Sequence, residues 1–354
     1  MKLYWYKYLL VYITPAIVFL SLSMPNIGAY TAVVVLFGVL PFMELFTRGT
    51  TENLTEVQEE LAKNDRYYDW VLYSLVPIHF LLFAYFLVVV QAPGLPLYVQ
   101  IGMMSAFGMS CGILGINAAH ELGHRSKRYE QLMSKLLLMS TLYLHFFIEH
   151  NRGHHKNVST DEDPASSRYG ENVYAFHLRT IRDSWLSAWR LEASRLRKAK
   201  LPFWSWHNEM LRFQVIQLSL VFAIGVNFGG KTLLLYLGAA TIGCFLLETV
   251  NYIEHYGLRR KKSETGYERT LPIHSWNSNH PIGRVVLLEL SRHSDHHYLA
   301  NRKYQILRHF DESPQMPTGY PGMMLLSLIP PLWFRVMHRE IRKHKESSAG
   351  EFLA

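Results

Sequence analysis

Four short histidine runs hold the side chains of this sequence best suited to chemistry. They read His120-Glu-Leu-Gly-His124, His150-Asn-Arg-Gly-His154-His155, Asn251-Tyr-Ile-Glu-His255-Tyr-Gly and His293-Ser-Asp-His296-His297, and together they supply nine imidazoles. A helical i, i+4 pair puts two side chains on one face, one turn apart, and His120 with His124 fit that geometry. His150 with His154, and His293 with His296 and His297, have spacings that let two or three rings converge. A lone histidine at a helix end is ordinarily a hydrogen-bonded interfacial residue. Nine in four clusters reverse that expectation and point to a metal.

Clustered imidazoles suit zinc, copper, iron or nickel. A catalytic zinc takes about three protein ligands and a structural zinc four. Nine is too many for one such ion and suits two irons of higher coordination number, which could also activate oxygen. Haem held between two histidines needs them in mid-span on facing helices, and only His79 is so placed. The two cysteines, Cys111 and Cys244, lie far apart in apolar runs and form no CxxC. The expectation is therefore two non-haem irons, with no haem, no flavin and no intrinsic iron–sulfur site. Electrons must then come from a partner. Glu121, Glu149, Asp161, Asp163, Glu254 and Asp295 stand beside the histidines in sequence. They are candidates to orient ligand rings and to offset metal charge.

The elements that must position these residues are membrane helices. The chain has 354 residues, 49% of them hydrophobic and 14% aromatic. Its apolar residues concentrate in runs of roughly 17–22, the length of a bilayer-spanning helix. The expected fold is an all-α integral membrane protein of one domain, 1–354. Its six transmembrane helices would lie at about 8–23, 28–46, 70–91, 98–118, 211–228 and 232–252. The stretch after Lys7 reads as a retained first span. Polar segments 47–69, 120–210 and 253–354 form a cap. With the N-terminus in the cytoplasm, every Lys and Arg except Lys231 falls inside, and so do all four histidine runs. A net charge of +8 then reports cytoplasmic loops, not nucleic-acid binding. Three further segments are expected at the interface: 132–147, the amphipathic 174–199, and Met323 to Met337, which is broken by Pro330-Pro331. The basic tail from His338 is expected to be poorly ordered.

These runs, with Glu149-His-Asn-Arg-Gly-His-His155, Asp163-Pro-Ala-Ser-Ser-Arg168 and His274-Ser-Trp-Asn-Ser-Asn-His280, resemble the membrane-bound non-haem di-iron alkane hydroxylases of the AlkB type. The likeness extends over nearly the whole chain, to Pro-Thr-Gly-Tyr-Pro321. Looser histidine boxes occur across the membrane desaturases and fatty-acid hydroxylases. The Asn-Tyr-x-Glu-His-Tyr-Gly run is characteristic of the alkane and xylene hydroxylase branch. Two departures leave every ligand in place: Ser291 stands where Gln is common, and Arg125 where Lys is usual. The resemblance implies a six-helix bundle in a bacterial inner membrane and two irons on the nine histidines. It also implies O2-dependent terminal hydroxylation of a medium- or long-chain alkane, with electrons from rubredoxin and rubredoxin reductase.

An alkane offers no hydrogen bond, so it must be held by burial, at roughly 0.8 kcal/mol per CH2, in a tunnel reached from the lipid. Leu36, Phe37, His79 and Phe107 are the candidate walls, with Leu36 limiting chain length. The basic stretch Arg179, Arg182, Arg190, Arg195, Arg197, Lys198 and Lys200 suits an acidic electron-transfer protein or anionic lipids equally. Two other readings remain open here. One is a hydroxylase or desaturase of xylene-like aromatics, fatty acyl chains or carotenoids. The other is a metal transporter or sensor, though transporters place their ligands near the bilayer midplane.

Overall fold

A computed structural model describes residues 5–264 and 266–350. Among the described residues five helices are long and apolar enough to cross a membrane: Tyr6–Ser23 (α1), Ile27–Glu44 (α2), Arg66–Val89 (α4), Leu97–Gly123 (α5) and Glu209–His255. The last is broken at Gly229, whose φ of 80° and ψ of 165° lie in a region that only glycine occupies readily. It therefore comprises two helical halves, α9 (209–228) and α10 (230–255). Outward-facing Phe42, Leu81, Phe222 and Leu234 are each more than 60% exposed. An apolar surface of this kind belongs in lipid, and the chain is an integral membrane protein.

Local polar residues start the helices where the sequence allows. Asp65 accepts from the amide of Tyr67 and opens α4, so the helix begins before the expected residue 70. Thr55 and Gln58 form a reciprocal capping box for α3 (Glu56–Asn64). Asn172 caps α8 (Val173–Lys198), and Asn208 caps α9. The α5 helix runs past residue 118 and carries His120 inside it. Between α5 and α10 the backbones approach closely. A Cβ on Gly108 or Gly112 would come within 2.7–2.8 Å of Ile242 or Leu246. Small residues permit such contacts between membrane helices.

The cap is mostly helical, with one short antiparallel hairpin, Lys262–Ser263 against Gly266–Tyr267. Segment 132–147 docks on the bundle as α6 (Arg128–Ser140), with Leu137 and Leu138 buried. The C-terminal part corrects the sequence expectation. Helix α13 (Tyr320–Ser327) ends before the proline pair, and α14 (Pro330–Gly350) begins on it. The basic tail is helical as far as residue 350, and residues beyond it lie outside the described ones: Trp333, Met337 and Ile341 are buried beside Tyr252 and Tyr256, and His338 hydrogen-bonds Tyr256 at 2.9 Å. An apolar stripe hidden among the tail's basic residues holds it down.

Candidate metal centre

The nine histidines meet as two adjoining groups. His120, His124, His150, His155 and His296 form one; His154, His255, His293 and His297 form the other. Within each group one ring nitrogen per residue lies within 4.8 Å of all the others. Two imidazole nitrogens on opposite sides of one ion, each at roughly 2.1 Å, are about 4.2 Å apart, so each group has the size of one coordination sphere. The Nε2 atoms face one another: His124 to His150 at 3.0 Å, His155 to His150 at 3.0 Å, and His293 to His255 at 3.2 Å. The groups abut, with the His155 and His297 rings 4.6 Å apart.

Backbone geometry decides the partition. His120 and His124 share a face at the end of α5, as their spacing predicts. His293 and His297 share a face of α12 (His293–Tyr298, with α11 at Pro281–Val286), and His296 turns to the other group. In the second run the expected pairing fails. Helix α7 (146–157) is π-helical over His150–His154, and the His155 amide donates to the His150 carbonyl five residues back. One wide turn therefore aligns His150 with His155, and His154 faces the other group. Every group draws on at least three runs.

The rings are suited to a metal in charge as well as in position. Burial, helped by neighbouring rings, pushes His150, His155, His293, His296 and His297 well below the ordinary imidazole value and keeps them neutral. Burial also acts downward on His154, but Asp163 outweighs it and the net shift is upward. Asp163 Oδ2 lies 2.9 Å from His154 Nδ1 and accepts from Ser166 at 2.5 Å. The proton is thereby held on Nδ1, and Nε2 is buried without a partner, as are both ring nitrogens of His297. Orphaned buried nitrogens are rare in native proteins, and an iron in the group of His154 and His297 would satisfy one nitrogen of each ring.

Of the six candidate carboxylates, two touch a cluster ring. Asp163 is the first. Glu254 is the second, with one oxygen 3.2 Å from His293 Nε2 and the other accepting from the Tyr320 hydroxyl at 2.7 Å. Glu121 instead binds Arg125 (2.6 Å), and Asp295 binds Arg302 and Arg308. Asp161 is exposed and pairs with Arg259. Glu149 accepts from Ser187 at 3.3 Å, and burial raises it to about 8. Adjacency in sequence puts these last four beside the histidines, but helix rotation aims them elsewhere.

An apolar cavity, partly open, ends on His120, His150, His293 and Glu254. Leu36 and Phe37 line it, as expected. His79 and Phe107 do not. His79 is buried with its nitrogens on Ser110 and Ser140 (2.9 and 2.8 Å), and Phe107 stacks on Phe83 and Phe86. They are helix-packing residues. Sequence reasoning missed Tyr320, Asn117 and Val250 on the wall. All three π-helical segments, Val35–Val39, Cys111–Ile116 and His150–His154, contribute lining residues. Such bulges recur at functional sites.

Comparison with known proteins bears on this arrangement. The fatty acid desaturase family matches residues 93–327. The alkane 1-monooxygenases 1 and 2 of Pseudomonas aeruginosa are 42% and 39% identical to the chain, each over 90% of it and 85% and 86% of their own lengths. The chain belongs to this family. An alkane 1-monooxygenase of Acinetobacter baylyi is 39% identical over 88% of the chain and 76% of its own length. As a member of the AlkB-type branch, the chain is an oxidoreductase of the monooxygenase kind, and its two histidine groups fit a di-iron site.

Proposed function

We propose that this chain, as one hydroxylase domain over 1–354, converts medium- or long-chain n-alkanes and O2 to 1-alkanols, with electrons from rubredoxin. The observation that carries this reading is the apolar cavity that ends on both histidine groups. Two irons on the nine histidines would supply oxygen activation and the oxidising power to replace a terminal C–H bond by C–OH. The chain's own residues do the rest. Leu36, Phe37, Ile113, Leu246 and Val250 bind the alkane by burial and exclude water. Polar groups occur where the cavity meets the histidines, so a chain entering it presents its end to them. Asp163 holds the proton of His154 on Nδ1, and Tyr320 holds Glu254 against His293.

The proposal includes six crossings, with α9 and α10 counted separately across Gly229. The N-terminus and both histidine groups would face the cytoplasm of a bacterial inner membrane. The near-exclusive placement of Lys and Arg on that side supports this orientation. The test is product analysis from octane and hexadecane with rubredoxin, its reductase and NAD(P)H, together with iron content. The expected results are 1-octanol or 1-hexadecanol and two irons per chain. No 1-alkanol from either substrate, or a single zinc, would refute the reading.

A further inference from the structure

A second polar site lies outside the cavity. The end of α8, the 199–208 connection and the start of α9 enclose a cleft lined by Arg152, Arg195, Trp206, His207, Glu209 and Arg212. Its charges do not balance. Arg152 reaches Glu192 and Glu209, both at 3.2 Å. Arg195 holds Glu192 at 2.6 Å and donates to the His207 carbonyl, and Lys135 holds Glu209 at 2.5 Å. Two carboxylates thus face four cations, counting Arg212. The Arg212 side chain makes no hydrogen bond or ion pair among the described residues, and its Nε is buried without a partner. A guanidinium presents paired donors matched to phosphate oxygens, and this one has no internal anion.

The surroundings say what kind of anion fits. Trp204 and Trp206 are 80% and 70% exposed at the foot of α9. Exposed tryptophans of this kind mark the headgroup level of a bilayer. Above Arg212 the same broad face of α9 exposes Val215, Leu218 and Phe222 at helical spacing. Cationic cleft and apolar stripe are continuous along one helix. A free phosphate would use only the cleft. A phospholipid uses both, with its phosphate at Arg212 and an acyl chain along the stripe.

We propose that this cleft binds the headgroup phosphate of an anionic phospholipid. The site bears on the metal centre through Arg152, which lies in α7 between His150 and His154 and whose guanidinium forms one wall of the cleft. A bound lipid would tether the helix that supplies three of the nine rings. The inference rests on the chain's membrane location and not on its substrate.

The test uses the full chain, delipidated in detergent, with phosphatidylglycerol, phosphatidylcholine and inorganic phosphate compared by native mass spectrometry and thermal unfolding. Phosphatidylglycerol is expected to bind one per chain and to raise the unfolding temperature, with little effect from the other two. Arg212→Gln should weaken phosphatidylglycerol binding about fivefold, the effect of one basic residue at an anionic surface. Because Arg212 has no internal partner to lose, the lipid-free unfolding temperature should not change, and Arg212→Lys should retain most of the binding. Equal binding of phosphatidylcholine would overturn the proposal, as would an equal shift with inorganic phosphate. So would wild-type affinity for phosphatidylglycerol in Arg212→Gln.

Discussion

Removing the carboxylate behind His154 should weaken one metal position and spare the other. Asp163 is buried, and its Oδ2 lies 2.9 Å from His154 Nδ1. His154 belongs to the group with His255, His293 and His297, and none of the other group's five histidines hydrogen-bonds Asp163. In Asp163→Asn the amide oxygen can still accept from Nδ1–H, but the negative charge is lost. In Asp163→Ala the ring has no partner and its orientation is no longer fixed. Changes of this kind behind a ligand histidine cost about 10–100-fold in metal affinity, or about 1.4–2.7 kcal/mol. The lower figure is expected for Asn and the upper for Ala. The assay is iron per chain after equilibration with graded chelator, followed by Mössbauer spectroscopy of the remaining iron. One iron should leave at lower chelator concentration than in the wild type, and the other should stay. A release curve unchanged in Asp163→Ala would refute the reasoning. So would both irons leaving together, because the partition into two groups predicts one loss.

Three further outcomes follow from the same geometry. Leu36→Trp fills part of the cavity and should shift product yield from hexadecane toward octane; an unchanged chain-length preference would contradict Leu36 as the limit. Burial opposes ionisation of Glu289, but Arg284, Lys7 and Arg292 outweigh it and hold the carboxyl at about 2 against an ordinary 4.5. A depressed value in the folded state stabilises fully above pH 4.5, and that stabilisation is lost as pH falls toward 2. Glu289→Gln should therefore cost about 3 kcal/mol at pH 7 and flatten acid unfolding in that window, as read by thermal unfolding against pH. Finally, turnover with rubredoxin should fall as salt rises if the basic face of α8 docks it; a salt-independent rate would argue against electrostatic docking there.

Much of this protein could be read from its sequence, for reasons of period and composition. Bilayer-length apolar runs, a one-sided distribution of Lys and Arg, and nine histidines at helix ends depend only on local spacing, so the membrane bundle and the candidate ligand residues were legible. So was the pairing of His120 with His124, because α5 is regular at that point. What the sequence could not determine was anything set by departures from the ideal helix or by packing between distant segments. The π turn at His150–His154 exchanges one ring between the two groups, and no residue type announces it. Glu121, Asp161, Asp163 and Asp295 look alike beside the histidines, and only the rotation of their backbones turns Asp163 onto a ring and the rest onto arginines or solvent. The cavity wall joins residues from 36 to 324 that share no local pattern. His79 stands out in sequence, yet its mid-span polarity is satisfied by two serines. The docking of α14 likewise depends on a buried stripe whose partners, Tyr252 and Tyr256, lie some 80 residues away. Local spacing identified the candidate ligand residues, and their assembly into two groups was decided by how six helical segments and the cap pack.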